Sequence, residues 1–264
     1  LFDPLRFPVV RAPGPGTPQW SRTAAELIAA HASTLAAVVI EPLVQGAGGM
    51  LLSTPDEVAR IAAACRAHDV LLVHDEVATG FGRTGTLFAT DQCPGARPDL
   101  LCLGKGITGG YLPMSVTVAA ERVYAAFLGP DLSSRTFHHG HSYGGNALAA
   151  AVARRHLELL NDGTVIKEAV ARAEQFADLL AQRIAPRADV AEVRQRGLMI
   201  GVELAPPTEG LRWGRRVCVA CVRRGVLLRP LGDVVVIMPM LTTTPDEAER
   251  IVTTLEAALD EVCA

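Results

Sequence analysis

Val70-Leu71-Leu72-Val73-His74-Asp75-Glu76-Val77-Ala78-Thr79-Gly80-Phe81-Gly82-Arg83-Thr84-Gly85 opens on four apolar residues and closes in a glycine-rich turn. An unbroken apolar run of this length is the pattern of a strand buried on both faces of a parallel sheet. Asp75 then stands at the C-terminal end of that strand. In open α/β sheets ligands collect in the crevice outside such ends, so the acid is a candidate for function before its chemistry is considered.

A second apolar run, residues 100–103, leads into Gly104-Lys105-Gly106 and puts Lys105 just past another strand end. Taken singly, a strand-end Asp more often caps a turn, and a lysine between glycines is more often a solvated loop charge. An acid and an amine delivered separately to one crevice suit pyridoxal phosphate, whose aldehyde condenses with an amine and whose ring nitrogen needs an anionic partner. Gly80-Phe81-Gly82-Arg83-Thr84-Gly85 also fits the dinucleotide fingerprint, with Asp99 about twenty residues on. That fingerprint opens a long helix, whereas residues 86–97 carry Asp91, Pro94 and Gly95 without a sustained apolar stripe, so the dinucleotide reading is set aside.

At 264 residues and 49% hydrophobic content the chain has ample material for a sizeable core, in one large domain or two smaller ones. Its formal net charge is −3 and its 25 Lys and Arg residues are scattered, which argues against a nucleic-acid partner. No apolar run approaches the roughly 18 residues of a membrane span, and the first residues do not read as a signal peptide. The six cysteines lack the pattern of a disulfide framework, which points to a reducing, cytoplasmic setting. Cys218 and Cys221 form a CxxC with no second pair, in a segment that reads as helix, so core packing is expected there rather than metal or redox chemistry.

Working outward, five prolines in the first twenty residues predict an extended surface segment. A helix is expected over 21–31 with Ser21 as its cap, a strand over 35–40, a glycine-rich loop over 43–50, and a helix over 55–67 capped by Thr54 or Ser53. Residues 114–119 read as a fourth strand, so strands and helical segments alternate and the class is α/β. Phe137-His138-His139-Gly140-His141-Ser142-Tyr143-Gly144-Gly145-Asn146 then opens an Ala-rich helix reaching about Leu160. The three histidines lack metal-ligand spacing. Ser142 is either a helix cap or an anion ligand before a helix N-terminus. Beyond Asn161 a smaller α+β part is expected: a helix over 165–184, strands over 190–194, 199–204, 226–229 and 234–238, and a final helix opened by Thr244. Arg229, just after an apolar strand, suits either bidentate capture of a carboxylate or a surface ion pair.

The stretches Glu41-Pro42-Leu43-Val44-Gln45-Gly46-Ala47-Gly48-Gly49-Met50, 75–85, Gly104-Lys105-Gly106-Ile107-Thr108-Gly109-Gly110-Tyr111, 139–146 and Arg229-Pro230 together resemble the class III, fold-type-I pyridoxal-phosphate aminotransferases. Ala78 and the loop after Glu41-Pro42 separate the chain from ornithine-type and 4-aminobutyrate-type members, and place the resemblance nearest those that serve biotin synthesis. It implies a partial large cofactor-binding domain over 1–155, with a mostly parallel sheet, and a small C-terminal α+β domain over 156–264. The family's preceding segment, with its main phosphate-binding loop and ring-stacking aromatic, has no counterpart here, so the chain resembles the later part of such an enzyme. By position, Asp75 pairs with the pyridine nitrogen, Val77 packs on the ring, and Lys105 bonds to the cofactor and moves the proton. Ser142 reaches the phosphate across a homodimer interface, Arg83 lines the substrate site, and Arg229 receives the keto acid's carboxylate. The implied substrates are an amino donor, S-adenosylmethionine or lysine, and a keto acid. Val236 and Ala147 depart from the family's usual Tyr and Pro.

Overall fold

The computed structural model describes residues 8–205, 208, 210 and 212–263. In chain order its elements are α1 (Trp20–His31), β1 (Ala37–Ile40), β2 (Val44–Gln45), β3 (Leu51–Leu52), α2 (Pro55–Ala67), β4 (Leu71–Asp75), β5 (Leu100–Leu103), β6 (Val116–Ala119), α3 (Glu121–Ala125), α4 (Ala147–Leu160), α5 (Thr164–Arg183), β7 (Val190–Arg196), β8 (Met199–Leu204), α6 (Trp213–Arg223), β9 (Arg229–Leu231), β10 (Val234–Ile237) and α7 (Pro245–Cys263).

Local chemistry sets several boundaries. α2 starts on a reciprocal cap: the Thr54 hydroxyl accepts from the Glu57 amide and the Glu57 carboxylate accepts from the Thr54 amide at 2.8 Å. Pro55 occupies the first turn, where its missing N–H costs nothing, and Asp56 and Glu57 face the positive end of the helix dipole. Ser53 is instead buried, its amide donating to the Leu43 carbonyl. α1 begins one residue before its expected cap. Gln19 adopts a left-handed conformation with no side-chain cap, Trp20 donates to Thr17, and the burial of Trp20 and Ser21 fixes the start.

The first sheet has the order β1-β4-β5-β6. β1, β4 and β5 are parallel, whereas β6 runs antiparallel to β5. A parallel return needs a crossover of a dozen or more residues, usually helical, and residues 104–115 hold only a 3₁₀ turn, Lys105–Thr108. One face of this sheet lies under α1 and α2, where Leu72 and His74 pack in full burial near Val58, Ile61 and Cys65. The opposite face is open: Val39, in register with Val73, is 65% exposed.

The second sheet, β7-β8-β10-β9, is antiparallel throughout. β9 pairs with β10 through a tight turn at Gly232 (φ 60°) and Asp233, with Leu231 opposite Val234. That turn draws the strand to Arg229–Leu231, later in the chain than the 226–229 expected from the apolar run. Pro230 is tolerated because β9 is an edge strand. Phe176 and Leu180 of α5, Val217 and Cys221 of α6, and Val252, Leu255 and Leu259 of α7 bury this sheet's Ile200, Val202, Val235 and Ile237 in one cluster. Cys218 and Cys221 belong to the same cluster, where burial pushes their thiols up to about 12 and about 11, so both stay protonated and inert as nucleophiles.

Met199, Val234 and Val236 of the second sheet pack into the same apolar cluster as Leu43, Met50 and Leu72, and further contacts join the two parts. At the β7–β8 turn Leu198 donates to the Arg83 carbonyl at 2.9 Å, and Gly197 (φ 58°) sits so close that a Cβ there would come within 2.7 Å of Thr84 backbone. From β7, Arg194 reaches the Gly49 carbonyl at 2.9 Å while pairing with Glu192 and Glu203. The expected division between residues 155 and 156 falls inside α4.

Candidate active site

Strand register assembles the site. Ile40 pairs with His74, so Glu41 and Asp75 emerge side by side from neighbouring parallel strands; Asp75 pairs in turn with Cys102, and Lys105 follows two residues beyond the end of β5. Asp75 is half-buried, and its Oδ1 accepts from the Val77 amide at 3.1 Å, which turns the chain sharply at the strand end.

Lys105 is exposed at the head of its 3₁₀ turn with φ 41°, a left-handed conformation that is costly for a residue with a Cβ and concentrates at functional positions. The turn is held from several sides. Ile107 donates to Gly104, the Thr108 hydroxyl donates to the Leu112 carbonyl at 2.6 Å, and His156 of α4 lies against Gly109 and tilts against Phe81. Gly104 presses on Val77: a Cβ there would lie 3.2 Å from a Val77 methyl, so the glycine lets the lysine turn and Val77 share the crevice.

Next to Asp75 the chain buries a second carboxylate for structural ends. Glu76 accepts from the Ala89 and Thr90 amides at 2.8 and 2.7 Å and from the hydroxyls of Thr79 and Thr90. With its hydroxyl hydrogen donated to Glu76, the Thr90 oxygen accepts a hydrogen bond from His74 Nδ1–H at 2.8 Å. Burial pushes the His74 imidazole down to about 4, so it is neutral at physiological pH.

Asp75, Val77 and Lys105 are thus brought together. Arg83 is half-buried, and its guanidinium donates to the Pro239 carbonyl, at the join between the sheets; burial lowers its proton affinity. Arg229 heads β9 opposite Val236, is exposed, and forms no ion pair among the described residues. Ser142 lies in a fully exposed stretch before α4 and does not cap it; Asn146 does, accepting from Leu148 and Ala149. Among the described residues no cluster of three or more His, Cys, Asp or Glu side chains is arranged to hold a metal ion, and no helix is long and apolar enough to cross a membrane.

Sequence reasoning assigned no role to Glu41. Its Oε2 accepts from the Gly46 amide at 2.6 Å. Burial raises its proton affinity; the Gly46 hydrogen bond opposes this, Asp75 adds to it, and Lys105 opposes it. The carboxyl therefore feels both of the other charged groups. Its position beside Asp75 follows from strand pairing rather than from any local motif.

The sequence profile described as "Aminotransferase class-III" matches residues 10–259. The chain is similar to the adenosylmethionine-8-amino-7-oxononanoate aminotransferase of Nitratidesulfovibrio vulgaris, at 42% identity over 274 residues that cover 98% of this chain and 50% of that one. It is similar in structure to the adenosylmethionine-8-amino-7-oxononanoate aminotransferase of Methanocaldococcus jannaschii, with a TM-score of 0.93, 34% identity, and coverage of 100% of this chain and 62% of that one. It also resembles an amine transaminase from an uncultivated Pseudomonas species in its PLP-bound form, with a TM-score of 0.85, 36% identity, and coverage of 93% and 56%. The chain spans about half the length of the first relative and less than two thirds of the other two.

Proposed function

The chain belongs to the class-III aminotransferase family, and from that premise we propose that it carries the lysine-bearing wall of a pyridoxal-phosphate aminotransferase, acting in the cytoplasm as a homodimer when full length. The reaction moves an amino group from S-adenosylmethionine, or lysine, to 8-amino-7-oxononanoate, giving the 7,8-diamino product of biotin synthesis. The carrying observation is the delivery of Asp75 and Lys105 to the C-terminal ends of the adjacent parallel strands β4 and β5. The donor set suits the cofactor: an exposed amine, a strand-end carboxylate, and a valine face against which the chain comes close only because residue 104 is glycine.

When bound, pyridoxal phosphate supplies an aldehyde that takes up the amino group and a ring that delocalises the electron pair left on carbon. Asp75 keeps the ring nitrogen protonated by facing it with a carboxylate. Val77 packs on the ring and excludes water from that side. Lys105 Nζ holds and returns the proton that leaves the substrate carbon, a task for its neutral form. Ser142 Oγ donates to the phosphate of the partner subunit's site, a role that fits its exposure. Arg83 lines the substrate site, and Arg229 offers the keto acid's carboxylate two parallel N–H donors. Nucleic acid has no part in this reading.

Titration of the purified chain with pyridoxal phosphate tests the proposal. A visible absorbance band is expected, bleached by borohydride with the added mass on Lys105, and absent in Lys105→Ala. No trapping at Lys105 would overturn it. With one face of the parallel sheet open, binding by these 264 residues is expected to be weak; tight stoichiometric binding with full turnover would show that this wall suffices alone. Substrate choice is checked in the full-length enzyme, where better turnover of 4-aminobutyrate or ornithine with 2-oxoglutarate would move the assignment to another class-III aminotransferase.

A further inference from the structure

Phe81 is only 3% exposed, yet it holds a left-handed backbone with φ 59°. For a bulky side chain that conformation is strained, and such strain persists only where the surroundings enforce it. Here the Phe81 and Gly82 amides both donate to the Leu87 carbonyl, at 2.6 and 3.3 Å. Phe88 meets the ring edge-on with centroids 5.6 Å apart, and His156 of α4 lies against it at 6.2 Å. The ring is thus fixed in place, and the proposed reaction gives it no task.

Its remaining neighbour is the lysine turn. A Cβ added to Gly106 would lie 3.0 Å from Phe81 Cδ2, 3.1 Å from Cβ and 3.3 Å from Cγ. Gly106 does not adopt the left-handed φ that would demand glycine, so the glycine is there for room. Four residues earlier, Val77 meets Gly104, where an added Cβ would lie 3.2 Å from a methyl. Lys105 is therefore bracketed: Val77 lies against the residue before it and Phe81 against the residue after it. Both belong to the segment that leaves β4 at Asp75. That segment is turned by the Val77 amide donating to Asp75 Oδ1 and by the Gly80 amide donating to the Glu76 carbonyl at 3.1 Å.

We infer that Phe81 is a positioning residue for Lys105: its ring seats against Gly106 and fixes the lysine turn relative to the strand end that carries Asp75. The inference rests on the reading of Lys105 as the reacting amine. An amine and an acid that serve one ring must keep a fixed separation, and a turn held by the acid's own segment keeps it.

A double-variant cycle tests this in the full chain without cofactor. The reporters are the Ile107 and Gly109 amides, which donate to the Gly104 and Gly106 carbonyls and whose hydrogen exchange is followed by NMR. Gly106→Ala is expected to speed their exchange about tenfold, because the added methyl meets the ring, while the amides of β8 stay unchanged. In Phe81→Ala, where the ring is gone, the same methyl is expected to cause no further acceleration. Phe81→Leu, which keeps more of the apolar volume, is expected to repeat the cycle with smaller amplitude. An equal effect of Gly106→Ala in every background, or turn protection that neither variant changes, overturns the proposal. The amine is read separately, by borohydride trapping of pyridoxal phosphate. Gly106→Ala is expected to lower the yield at Lys105 by about fivefold or more. Formaldehyde labelling of Lys105 relative to Lys167, the chain's only other lysine, is expected to stay constant because both side chains are exposed. Undiminished trapping in Gly106→Ala also overturns the proposal. A native chain that traps nothing at Lys105 fails the site reading rather than this one, which the exchange cycle decides on its own.

Discussion

The two sheets differ in how completely this chain covers them. α5, α6 and α7 close one face of the antiparallel sheet, with Val235 and Ile237 of β10, into a core drawn wholly from residues 169–262, while Val234 and Val236 on the other face join the cluster of the parallel sheet. The parallel sheet has helices on one face only and leaves Val39 bare on the other. The candidate site residues Asp75 and Lys105 sit on the less covered sheet, while the antiparallel one holds the larger apolar cluster. A reacting site needs an open crevice and exposed polar atoms, and a stable core needs neither, so the two demands fall on different parts of the chain.

The chain's two tryptophans give one reporter to each part: Trp20 lies in the cluster under the parallel sheet and Trp213 in the antiparallel core. In single-tryptophan variants, urea is expected to unfold the Trp20 region first. The largest effect should come from Phe176→Ala, which empties a fully buried site in α5. A loss of about 4 kcal/mol is expected in the Trp213 transition, with a much smaller shift in that of Trp20. Equal shifts would show that the parts unfold as one cooperative unit, and the contrast would fail.

A smaller effect concerns acid. The His74 imidazole titrates near 4 in the fold and near 6.5 when unfolded, so the unfolded chain takes up the proton first. Stability from this group is complete above pH 6.5 and is lost as pH falls toward 4, by up to about 3 kcal/mol. Glu41, raised in the fold, acts in the opposite direction as it gains its proton. Expected is a decline in the Trp20 transition between pH 6.5 and 4.5 that flattens in His74→Gln; an identical slope in that variant would acquit the histidine. Smallest of all is Val39→Thr, expected to change stability by less than about 0.5 kcal/mol because the side chain already faces water. A loss above about 1 kcal/mol would mean that the bare face is covered in solution.

What the sequence made legible follows from how local each signal is. Strands β5 and β8 match the expected spans because each is an apolar run bounded by sharp breaks, and the strand-end positions of Asp75 and Lys105 came with them. Misplaced elements trace to competing local rules. Gly232 and Asp233 formed the hairpin turn that the apolar run at 226–229 obscured, and Asn146 capped α4 where Ser142 had been a candidate. The antiparallel β6 followed from the lack of a crossover helix. Glu41 was not legible at all. Glu-Pro reads as an ordinary turn, and its neighbour across the strands is fixed only by the pairing of Ile40 with His74. Ser142 and Arg229 have roles only through family resemblance, since neither touches Asp75 or Lys105 within this chain's hydrogen-bond network.

Gly197 carries a consequence for descent. At the tip of the β7–β8 turn it meets Arg83 and Thr84 main chain to main chain. Where main chain meets main chain the contact leaves no record in paired side chains, so covariation between lineages should pass over this point, unlike the packing of Met199, Val234 and Val236 against Leu43 and Met50. Its only inherited trace is a position where every side chain is refused. This point of the seam should therefore be found by looking for what natural variation never adds rather than for what it exchanges.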